Sequence, residues 1–326
     1  MSELLEVQDL RIRFPAPGGG TSVPVDGVSL RLARGETLAL VGESGSGKSL
    51  TALALLRLVP PPGTIDPSSR IVLEGLNLLE LQGEALRAVR GGRIGLVFQD
   101  AMTSLNPVIS IGEQVRETVV AHRSLRGKEA RERAVALLDE VGIPGARARY
   151  RSFPHELSGG LRQRALIAIA LAGEPDVLIA DEPTTALDVT VQAQILELLD
   201  ALRTSRGMAV LLISHDLGLV AGRADRVAVM YAGQIVEEAS TSRLFRSPSH
   251  PYTRALFGSI PRLTSAVDRL VPIAGAVPLP DAWPPACRFH PRCPEVLARC
   301  SVETPPVVPL APGESSRCWL LVKGAR

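Results

Sequence analysis

The sequence predicts an α/β fold in which a parallel sheet is covered by helices on both faces. Short apolar runs of strand length lie at Thr37–Val41, 177–180 and 209–213, and a helical pattern spans 191–203 between the last two. Strands that alternate with helices favour a parallel sheet that is buried on both sides. A glycine-rich loop joins the first run to good helix formers at 50–58, which is typical of the opening of a phosphate-binding unit.

The regions before and between these runs have other patterns. Residues 4–14 alternate as a half-buried strand does, and 28–32 has the pattern of a second strand. Residues 103–172 are mostly helical in pattern, most clearly at 129–141. We therefore expect strands at the N-terminus and a helical region inside the α/β core.

The composition changes after about residue 257. Residues 271–326 contain 11 of the 26 prolines and all four cysteines. Proline removes a backbone donor and fixes φ, so a segment this rich in proline forms neither a regular helix nor a central strand. We expect an irregular extension that something other than secondary structure must hold in place.

The overall composition excludes several classes of protein. The 326 residues are 45% hydrophobic and 21% charged, which is ordinary for a globular protein and unlike a disordered chain. A net charge of +2 is too small to indicate a nucleic-acid partner. No run reaches the roughly 18 apolar residues that cross a bilayer, and the acidic N-terminus lacks a signal pattern. We expect a cytosolic chain without a transmembrane segment or signal peptide.

Residues 42–49, GESGSGKS, match the phosphate-loop pattern G-x-x-x-x-G-K-[ST]. The glycines let backbone N–H groups turn inward around phosphate oxygens, and the following helix adds the positive end of its dipole. Lys48, one of three lysines in the chain, places a compact charge against the β- and γ-phosphates. Ser49 is expected to bind Mg²⁺. The residues predicted to contact the nucleotide here are Gly42, Glu43, Ser44, Gly45, Ser46, Gly47, Lys48, Ser49 and Leu50.

Two further motifs carry chemistry suited to a nucleotide. The run VLIADE at 177–182 places Asp181 at the end of a buried strand as a Mg²⁺ ligand. Glu182 follows it and can polarise an attacking water molecule. The sequence LSGGL places Ser158, Gly159 and Gly160 at a helix start, which is a second anion-binding position, although Ser before a helix is also an ordinary cap.

The order of these motifs, together with Gln99, TTALD at 184–188 and His215, resembles the ATP-hydrolysing subunit of ABC transporters. The resemblance covers about residues 4–256. LSGGL resembles the signature motif of that family, with Leu161 where the commonest form has Gln. The resemblance implies that two subunits dimerise head to tail, with the signature motif of each facing the phosphate loop of its partner. The partner is either a second copy or a sister subunit.

The resemblance also implies roles for single residues. Gln99 contacts Mg²⁺ and the water molecule, and His215 holds the γ-phosphate and Glu182. The loop that ends at Asp188 passes signals between the two nucleotide sites. Phe14 stacks on adenine, where the family often has Tyr.

Three stretches, 99–107, 180–196 and 250–261, resemble the oligopeptide and dipeptide importers in particular. Members of that group energise uptake of peptides, nickel and other small solutes. The resemblance implies two membrane-spanning permease subunits and an extracytoplasmic solute-binding protein as partners, with 100–120 docking a permease helix. The chain would then lie at the cytoplasmic face of the membrane as a peripheral subunit.

Two other functions compete with transport. A soluble ABC ATPase of translation or DNA repair has two nucleotide units or a long coiled-coil insertion, and this chain has one unit and no heptad-rich insertion. A phosphate-loop kinase leaves the LSGGL motif and His215 unexplained. The transport ATPase therefore remains the preferred hypothesis.

The four cysteines have the spacing C-x5-C-x6-C-x17-C. This is a poor match to zinc sites, which use closer pairs, and a cytosolic chain disfavours disulfides. Four thiolates suit an iron–sulfur cluster, and the segment resembles the C-terminal part of the same importer group, in which some members bind [4Fe–4S]. Zinc and unmetallated thiols stay open as alternatives. The predicted ligands are Cys287, Cys293, Cys300 and Cys318.

These expectations give a domain plan. An ABC ATPase domain spans 4–256, with an N-terminal antiparallel β subdomain and a helical subdomain at about 103–172. A proline-rich, irregular extension with the four-cysteine site spans 257–326.

Overall fold

The computed structural model describes residues 3–16, 18–258 and 273–322. The chain divides into two compact units. We call residues 1–5, 32–36 and 80–213 the signature unit, and residues 6–31, 37–79 and 214–326 the phosphate-loop unit.

The described residues contain thirteen strands in chain order. They are β1 Glu3–Pro15, β2 Thr21–Ala33, β3 Thr37–Val41, β4 Thr64–Ile65, β5 Arg70–Leu73, β6 Leu76–Asn77, β7 Ile94–Val97, β8 Val177–Asp181, β9 Ala209–Ser214, β10 Arg226–Tyr231, β11 Gln234–Ser240, β12 Val307–Ala311 and β13 Glu314–Arg317.

The same residues contain eleven α-helices and four short 3-10 helices. The α-helices are α1 Lys48–Leu55, α2 Gly83–Val89, α3 Ala101–Ser104, α4 Ile111–His122, α5 Gly127–Glu140, α6 Ala146–Arg149, α7 Gly159–Leu171, α8 Val189–Arg206, α9 Leu217–Val220, α10 Thr241–Arg246 and α11 Pro251–Gly258. The 3-10 helices are Pro154–Glu156, His290–Arg292, Ala298–Ser301 and Trp319–Leu321. No helix within the described ranges has the length and apolarity needed to cross a bilayer.

The phosphate-loop unit contains two sheets. The N-terminal strands form one sheet in the order β2-β1-β5-β6, with β4 antiparallel to β1. In the second sheet β3 is parallel to β10, which pairs antiparallel with β11. All five residues of β3 are buried, so the strand that leads into the phosphate loop is held rigidly on both faces.

The C-terminal extension is less irregular than the sequence predicts. Strands β12 and β13 form an antiparallel hairpin, and β13 pairs with β11, so the extension lengthens the second sheet. β12 is the outermost strand in the order, and it contains Pro309. Proline is tolerated at a sheet edge because no neighbouring strand needs its missing N–H. The proline content thus excludes a central strand but permits this edge strand.

The signature unit places three parallel strands beside a group of helices. β8 pairs with β7 on one side and with β9 on the other. Every residue of β8 and β9 is buried, as expected for strands covered on both faces. Residues 101–171 contribute only helices and turns. The predicted α/β fold is confirmed, including the strand at Thr37–Val41 and the helix around 191–203, which extends over Val189–Arg206.

Candidate functional site

The phosphate loop owes its conformation to two glycines. Gly42 has a φ of +155°, and a Cβ atom there would lie 2.1 Å from the carbonyl oxygen of Met230. Gly47 has a φ of +105°, and its Cβ would lie 2.7 Å from the carbonyl oxygen of Pro24. Real Cβ atoms do not approach other atoms this closely, so no other residue fits either position. The loop therefore packs directly against neighbouring backbone.

Lys48 is folded into the phosphate loop. Its side chain is buried, and Nζ donates hydrogen bonds to the carbonyl oxygens of Gly42 at 2.8 Å and Glu43 at 3.0 Å. The ammonium group is thus held inside the loop by carbonyl dipoles, where phosphate oxygens can replace them. Ser49 and Leu50 are half-buried at the start of α1.

Two more predicted residues lie in the phosphate-loop unit. The Phe14 ring is half-buried, and a Cβ at Gly63 would lie 2.4 Å from its Cζ atom, so this glycine makes room for the ring. His215 is exposed on the turn after β9. Ser214 fixes that turn, because its hydroxyl accepts a hydrogen bond from the N–H of Asp216 at 2.9 Å.

The signature unit brings Gln99 and Glu182 together. Asp181 ends β8 and is buried, and Glu182 follows it with a φ of +46°. This left-handed conformation costs a residue with a side chain about 1–2 kcal/mol. The Oε2 atom of Glu182 accepts hydrogen bonds from Gln99 Nε2 at 2.9 Å and Thr185 Oγ1 at 3.0 Å. The strained backbone thus presents a carboxylate whose orientation two neighbours fix.

The LSGGL motif opens α7, with Ser158 as its N-cap. A Cβ at Gly160 would lie 2.7 Å from Val191 Cγ1, so the glycine allows α7 to pack closely on α8. Asp188 caps α8, since its carboxylate accepts a hydrogen bond from the N–H of Val191 at 3.0 Å. The start of the motif helix and the loop that ends at Asp188 are therefore packed together in this unit.

The sequence did not indicate two contacts of these residues. Thr185 is exposed and holds Glu182, and the phosphate-loop residue Glu43 is held by side chains from the C-terminal third of the chain. The TTALD stretch marked Thr185 only as part of a signalling loop. No local pattern pointed to the partners of Glu43, because they lie more than two hundred residues away.

The cysteine segment, residues 287–318, gathers the four thiols. All four are free, with Cys300 and Cys318 buried and the other two half-buried. Burial, with a smaller contribution from the neighbouring thiols, raises the pKa of Cys287 and Cys318 to about 11. The N–H of Cys287 donates to the carbonyl oxygen of Cys300 at 3.1 Å. The segment is therefore one connected structure rather than four separate cysteines.

Backbone N–H groups near three of the thiols oppose the effect of burial on the thiol pKa. Those of Phe289 and His290 act on Cys287, that of Glu295 acts on Cys293, and that of Leu320 acts on Cys318, and each lowers the pKa of its thiol. The His290 Nδ1 atom lies 2.8 Å from the carbonyl oxygen of Cys287, which supports the loop. In the described ranges, no three His, Cys, Asp or Glu side chains are arranged to hold a single metal ion.

Comparisons with known proteins agree with this geometry. The family described as ABC transporter matches residues 25–185, and the oligopeptide/dipeptide transporter C-terminal region matches 236–300. The oligopeptide transport ATP-binding protein AppD of Bacillus subtilis is 48% identical over 98% of this chain and 97% of its own length. The dipeptide transport protein DppD of the same organism is 45% identical over 98% of this chain and 95% of its own.

A solved structure of an ATP-binding cassette is also similar to this chain. A dimeric ATP-binding cassette in a post-hydrolysis state, bound to ADP and phosphate, is similar to this chain with a TM-score of 0.64 at 26% identity. The similarity covers 73% of this chain and 99% of that one. The fold, the motifs and the relatives together show that this chain is an ATPase and belongs to the ATP-binding subunits of ABC transporters, in the oligopeptide/dipeptide group.

Proposed function

We propose that this subunit hydrolyses ATP to drive the uptake of peptides through a membrane importer. The observation that carries the proposal is the match of residues 236–300 to the C-terminal region of oligopeptide and dipeptide transporters. That region lies outside the catalytic motifs and is therefore specific to a branch of the family. The names of relatives similar over the whole chain, which include oligopeptide and dipeptide transport, support the same substrate class.

The phosphate-loop unit binds the nucleotide in this proposal. Lys48 exchanges its carbonyl partners for the β- and γ-phosphates, and the loop amides of residues 42–49 surround the phosphate oxygens. Phe14 stacks on the adenine ring, and His215 donates a hydrogen bond to the γ-phosphate. The nucleotide thereby meets positive charge and N–H donors that are already in place, so little reorganisation is needed.

Glu182 is the general base in this proposal. It accepts a proton from a water molecule whose oxygen forms a new bond to the γ-phosphorus, while the bond between that phosphorus and the β–γ bridging oxygen breaks to release ADP. The hydrogen bonds from Gln99 and Thr185 to Glu182 support this role because they orient the carboxylate. Ser49, Gln99 and Asp181 are the residues that would hold Mg²⁺, which neutralises phosphate charge when it is bound.

A single chain supplies one phosphate loop and one LSGGL motif. In this proposal two subunits pair head to tail, and Ser158, Gly159 and Gly160 of one contact the γ-phosphate held by the other. Asp188 then lies in the loop through which the two sites communicate. The partner is a second copy of this chain or a sister subunit, and both membrane-spanning permeases dock on the dimer at the cytoplasmic face of the membrane.

We also propose that the cysteine segment binds a [4Fe–4S] cluster through Cys287, Cys293, Cys300 and Cys318. The support comes from the donors. Four thiols lie in one segment, where burial raises the pKa of Cys287, Cys293 and Cys318 and backbone N–H groups beside these three thiols lower it. N–H donors of this kind stabilise thiolate ligands and tune a bound cluster. When bound, the cluster supplies folding energy that a proline-rich segment lacks.

The experiment that tests the transport function uses the complete importer in lipid vesicles. ATP hydrolysis is measured with the solute-binding protein present, either empty or loaded with a mixture of di- to hexapeptides. We expect peptide to stimulate hydrolysis several-fold. Stimulation by a Ni²⁺-loaded binding protein, with no response to any peptide, would contradict the proposed substrate.

A further inference from the structure

Glu43 of the phosphate loop forms a bidentate ion pair with Arg292. The distances are 2.9 Å from Nη1 to Oε2 and 3.0 Å from Nη2 to Oε1. The Arg292 side chain is 6% exposed and the Glu43 side chain is 27% exposed. Two parallel N–H···O bonds of this kind fix direction as well as distance, and screening by water is weak for a pair this well covered. The pair therefore determines where the Glu43 side chain lies.

Arg292 belongs to the cysteine segment. It ends the 3-10 helix His290–Arg292 and directly precedes Cys293. Its guanidinium also contacts the Tyr231 hydroxyl at 3.4 Å and lies over the Tyr231 ring. The side chain that holds the phosphate loop is therefore attached to the turn that carries the first two cysteines.

A second contact holds the backbone of Glu43. Its N–H donates to the Tyr252 hydroxyl at 3.0 Å. Tyr252 is fully buried in α11, and the start of that helix is fixed by the buried carboxylate of Glu237, which accepts from the N–H groups of Ser249 at 2.6 Å and His250 at 2.8 Å. Glu43 is thus tied at both its backbone and its side chain to the C-terminal third of the chain.

Three aromatic rings connect the two contacts. Tyr231, Tyr252 and Phe289 lie with their ring centroids 4.6 to 5.4 Å apart. Phe289 is buried and belongs to the cysteine segment, between Cys287 and Arg292. Packed aromatic rings do not deform easily, so the position of the cysteine segment is transmitted to the residues that hold Glu43.

We propose that Arg292 is a positioning residue for nucleotide binding, and that it makes the affinity for ATP depend on the state of the cysteine segment. The close backbone contacts at Gly42 and Gly47 fix the two ends of the loop, but the backbone between them still loses conformational entropy when a ligand orders it. A loop that is already anchored at Glu43 loses less conformational entropy on binding, so it binds phosphate more tightly. The dependence on the cysteine segment rests on the iron–sulfur site proposed above.

The test uses the full chain and measures the Kd of a fluorescent methylanthraniloyl derivative of ATP. Iron and sulfide contents are determined on the same samples. We expect Arg292→Ala to raise the Kd about tenfold, since one partner of a covered ion pair is left alone. Arg292→Lys keeps the positive charge but cannot form two parallel hydrogen bonds to the carboxylate, so it should give an intermediate Kd. In the assembled importer, KM for ATP should rise while kcat at saturation changes less than twofold.

Arg254→Ala is the matched control. Arg254 pairs with Glu295 of the same cysteine segment, and both are more than 40% exposed. Breaking this pair disturbs the segment without touching the phosphate loop, so the Kd should stay within twofold of the parental value. An equal rise in Kd for Arg254→Ala and Arg292→Ala would overturn a specific role for Arg292.

Glu43→Gln provides a second route to the same answer, because it leaves the cysteine segment intact. It should also weaken binding, and the double variant Glu43→Gln/Arg292→Ala should be no weaker than Arg292→Ala alone. Parental Kd values in both single variants, at parental iron content, would overturn the proposal. Lys48→Ala tests the site itself: if it binds nucleotide normally, the phosphate-loop assignment fails, whatever Arg292 does.

The last experiment replaces two of the four cysteines. Cys287→Ser/Cys293→Ser should raise the Kd in the parental chain, but it should add nothing in the Arg292→Ala background. Fully additive effects in the two backgrounds would overturn the coupling between the cysteine segment and the phosphate loop, even if Arg292→Ala alone weakens binding.

Discussion

The phosphate loop and the part of the cysteine segment that precedes β12 both consist mainly of loops and tight turns, but they are held in different ways. The loop at 42–49 is fixed by glycine conformations and by close contact with neighbouring backbone. The cysteine segment is fixed by side chains, including Arg288, which bonds to Asp26 and to the carbonyl of Ala232 and stacks on Trp283. Local backbone geometry therefore leaves a motif in the sequence, whereas contacts between distant side chains do not.

The largest expected effect separates binding from chemistry. Glu182→Gln keeps the shape of the side chain and its contacts with Gln99 and Thr185 but removes the carboxylate that we propose as the proton acceptor. We expect ATP turnover to fall about 100- to 10,000-fold, while nucleotide binding at the phosphate loop stays near its parental value. Turnover by the assembled importer and Kd for ATP are the two measurements. Hydrolysis at the parental rate would show that Glu182 is not the base.

A pair of glycine variants tests whether the phosphate loop is held by backbone contact. Gly42→Ala places a Cβ atom 2.1 Å from the Met230 carbonyl oxygen, whereas at Gly45, with a φ of +79°, nothing lies within 4 Å. We expect Gly42→Ala to lower the free energy of unfolding by about 3 kcal/mol and to abolish ATP binding. Gly45→Ala should cost only about 1 kcal/mol, from its conformation alone.

Chemical denaturation of both variants, with ATP binding measured in parallel, decides the matter. Equal losses of stability would mean that the φ angle, and not the approach of the neighbouring backbone, determines the need for glycine in this loop.

The proposed cluster is tested by replacing one buried cysteine. According to that proposal, Cys300→Ser eliminates iron and sulfide and the visible absorbance of the protein, and lowers the Tm by about 5 °C, or roughly 2 kcal/mol. Val302→Ser, at a 74% exposed position two residues away, should change neither property. A colourless parental protein that contains zinc would contradict the cluster while leaving a metal site in place.

The sequence was sufficient wherever structure is local. The strand at Thr37–Val41, the phosphate loop and the helix start at Ser158 are each determined by a few adjacent residues, and each was predicted. The hairpin β12–β13 was missed because its stability comes from pairing with β11, about eighty residues away. The contacts of Glu43 were missed for the same reason, since Arg292 is 249 residues further along the chain.

The roles of single residues follow the same division. Lys48 belongs to a pattern that predicts phosphate binding, and Asp181 is predicted to bind Mg²⁺ because its strand occurs together with that pattern. The hydrogen bond between Gln99 and Glu182 joins the ends of two strands and spans 83 residues of sequence, and it was not predicted from the sequence. A partner that arrives from a distant element leaves no periodic signal, because its position depends on how the sheet is ordered and not on neighbouring residues.

The smallest expected effect concerns the helix start that carries Tyr252. His250 is buried, and this burial, with a smaller contribution from the charge of Arg254, lowers its pKa to about 3. Its Nδ1 atom accepts a hydrogen bond from the N–H of Tyr252 at 3.0 Å, so the folded state needs the neutral imidazole. The carboxylate of Glu237 faces the same helix start and accepts a hydrogen bond from the backbone N–H of His250.

The sign of the pH effect follows from these pKa values. Below about pH 6.5 the unfolded chain binds a proton at His250 that the folded chain does not, so the free energy of unfolding falls as the pH falls. Between pH 7 and 5.5 this residue should cost about 1 kcal/mol of stability.

His250→Asn keeps an acceptor for the Tyr252 N–H but cannot titrate, so its free energy of unfolding should fall by about 1 kcal/mol less than that of the parental chain over the same pH range. Denaturant unfolding of both proteins at the two pH values measures the difference, and identical slopes would mean that the imidazole is not held neutral. Because Tyr252 positions Glu43, the same acidification should weaken ATP binding more in the parental chain than in His250→Asn, which connects this buried histidine to the phosphate loop.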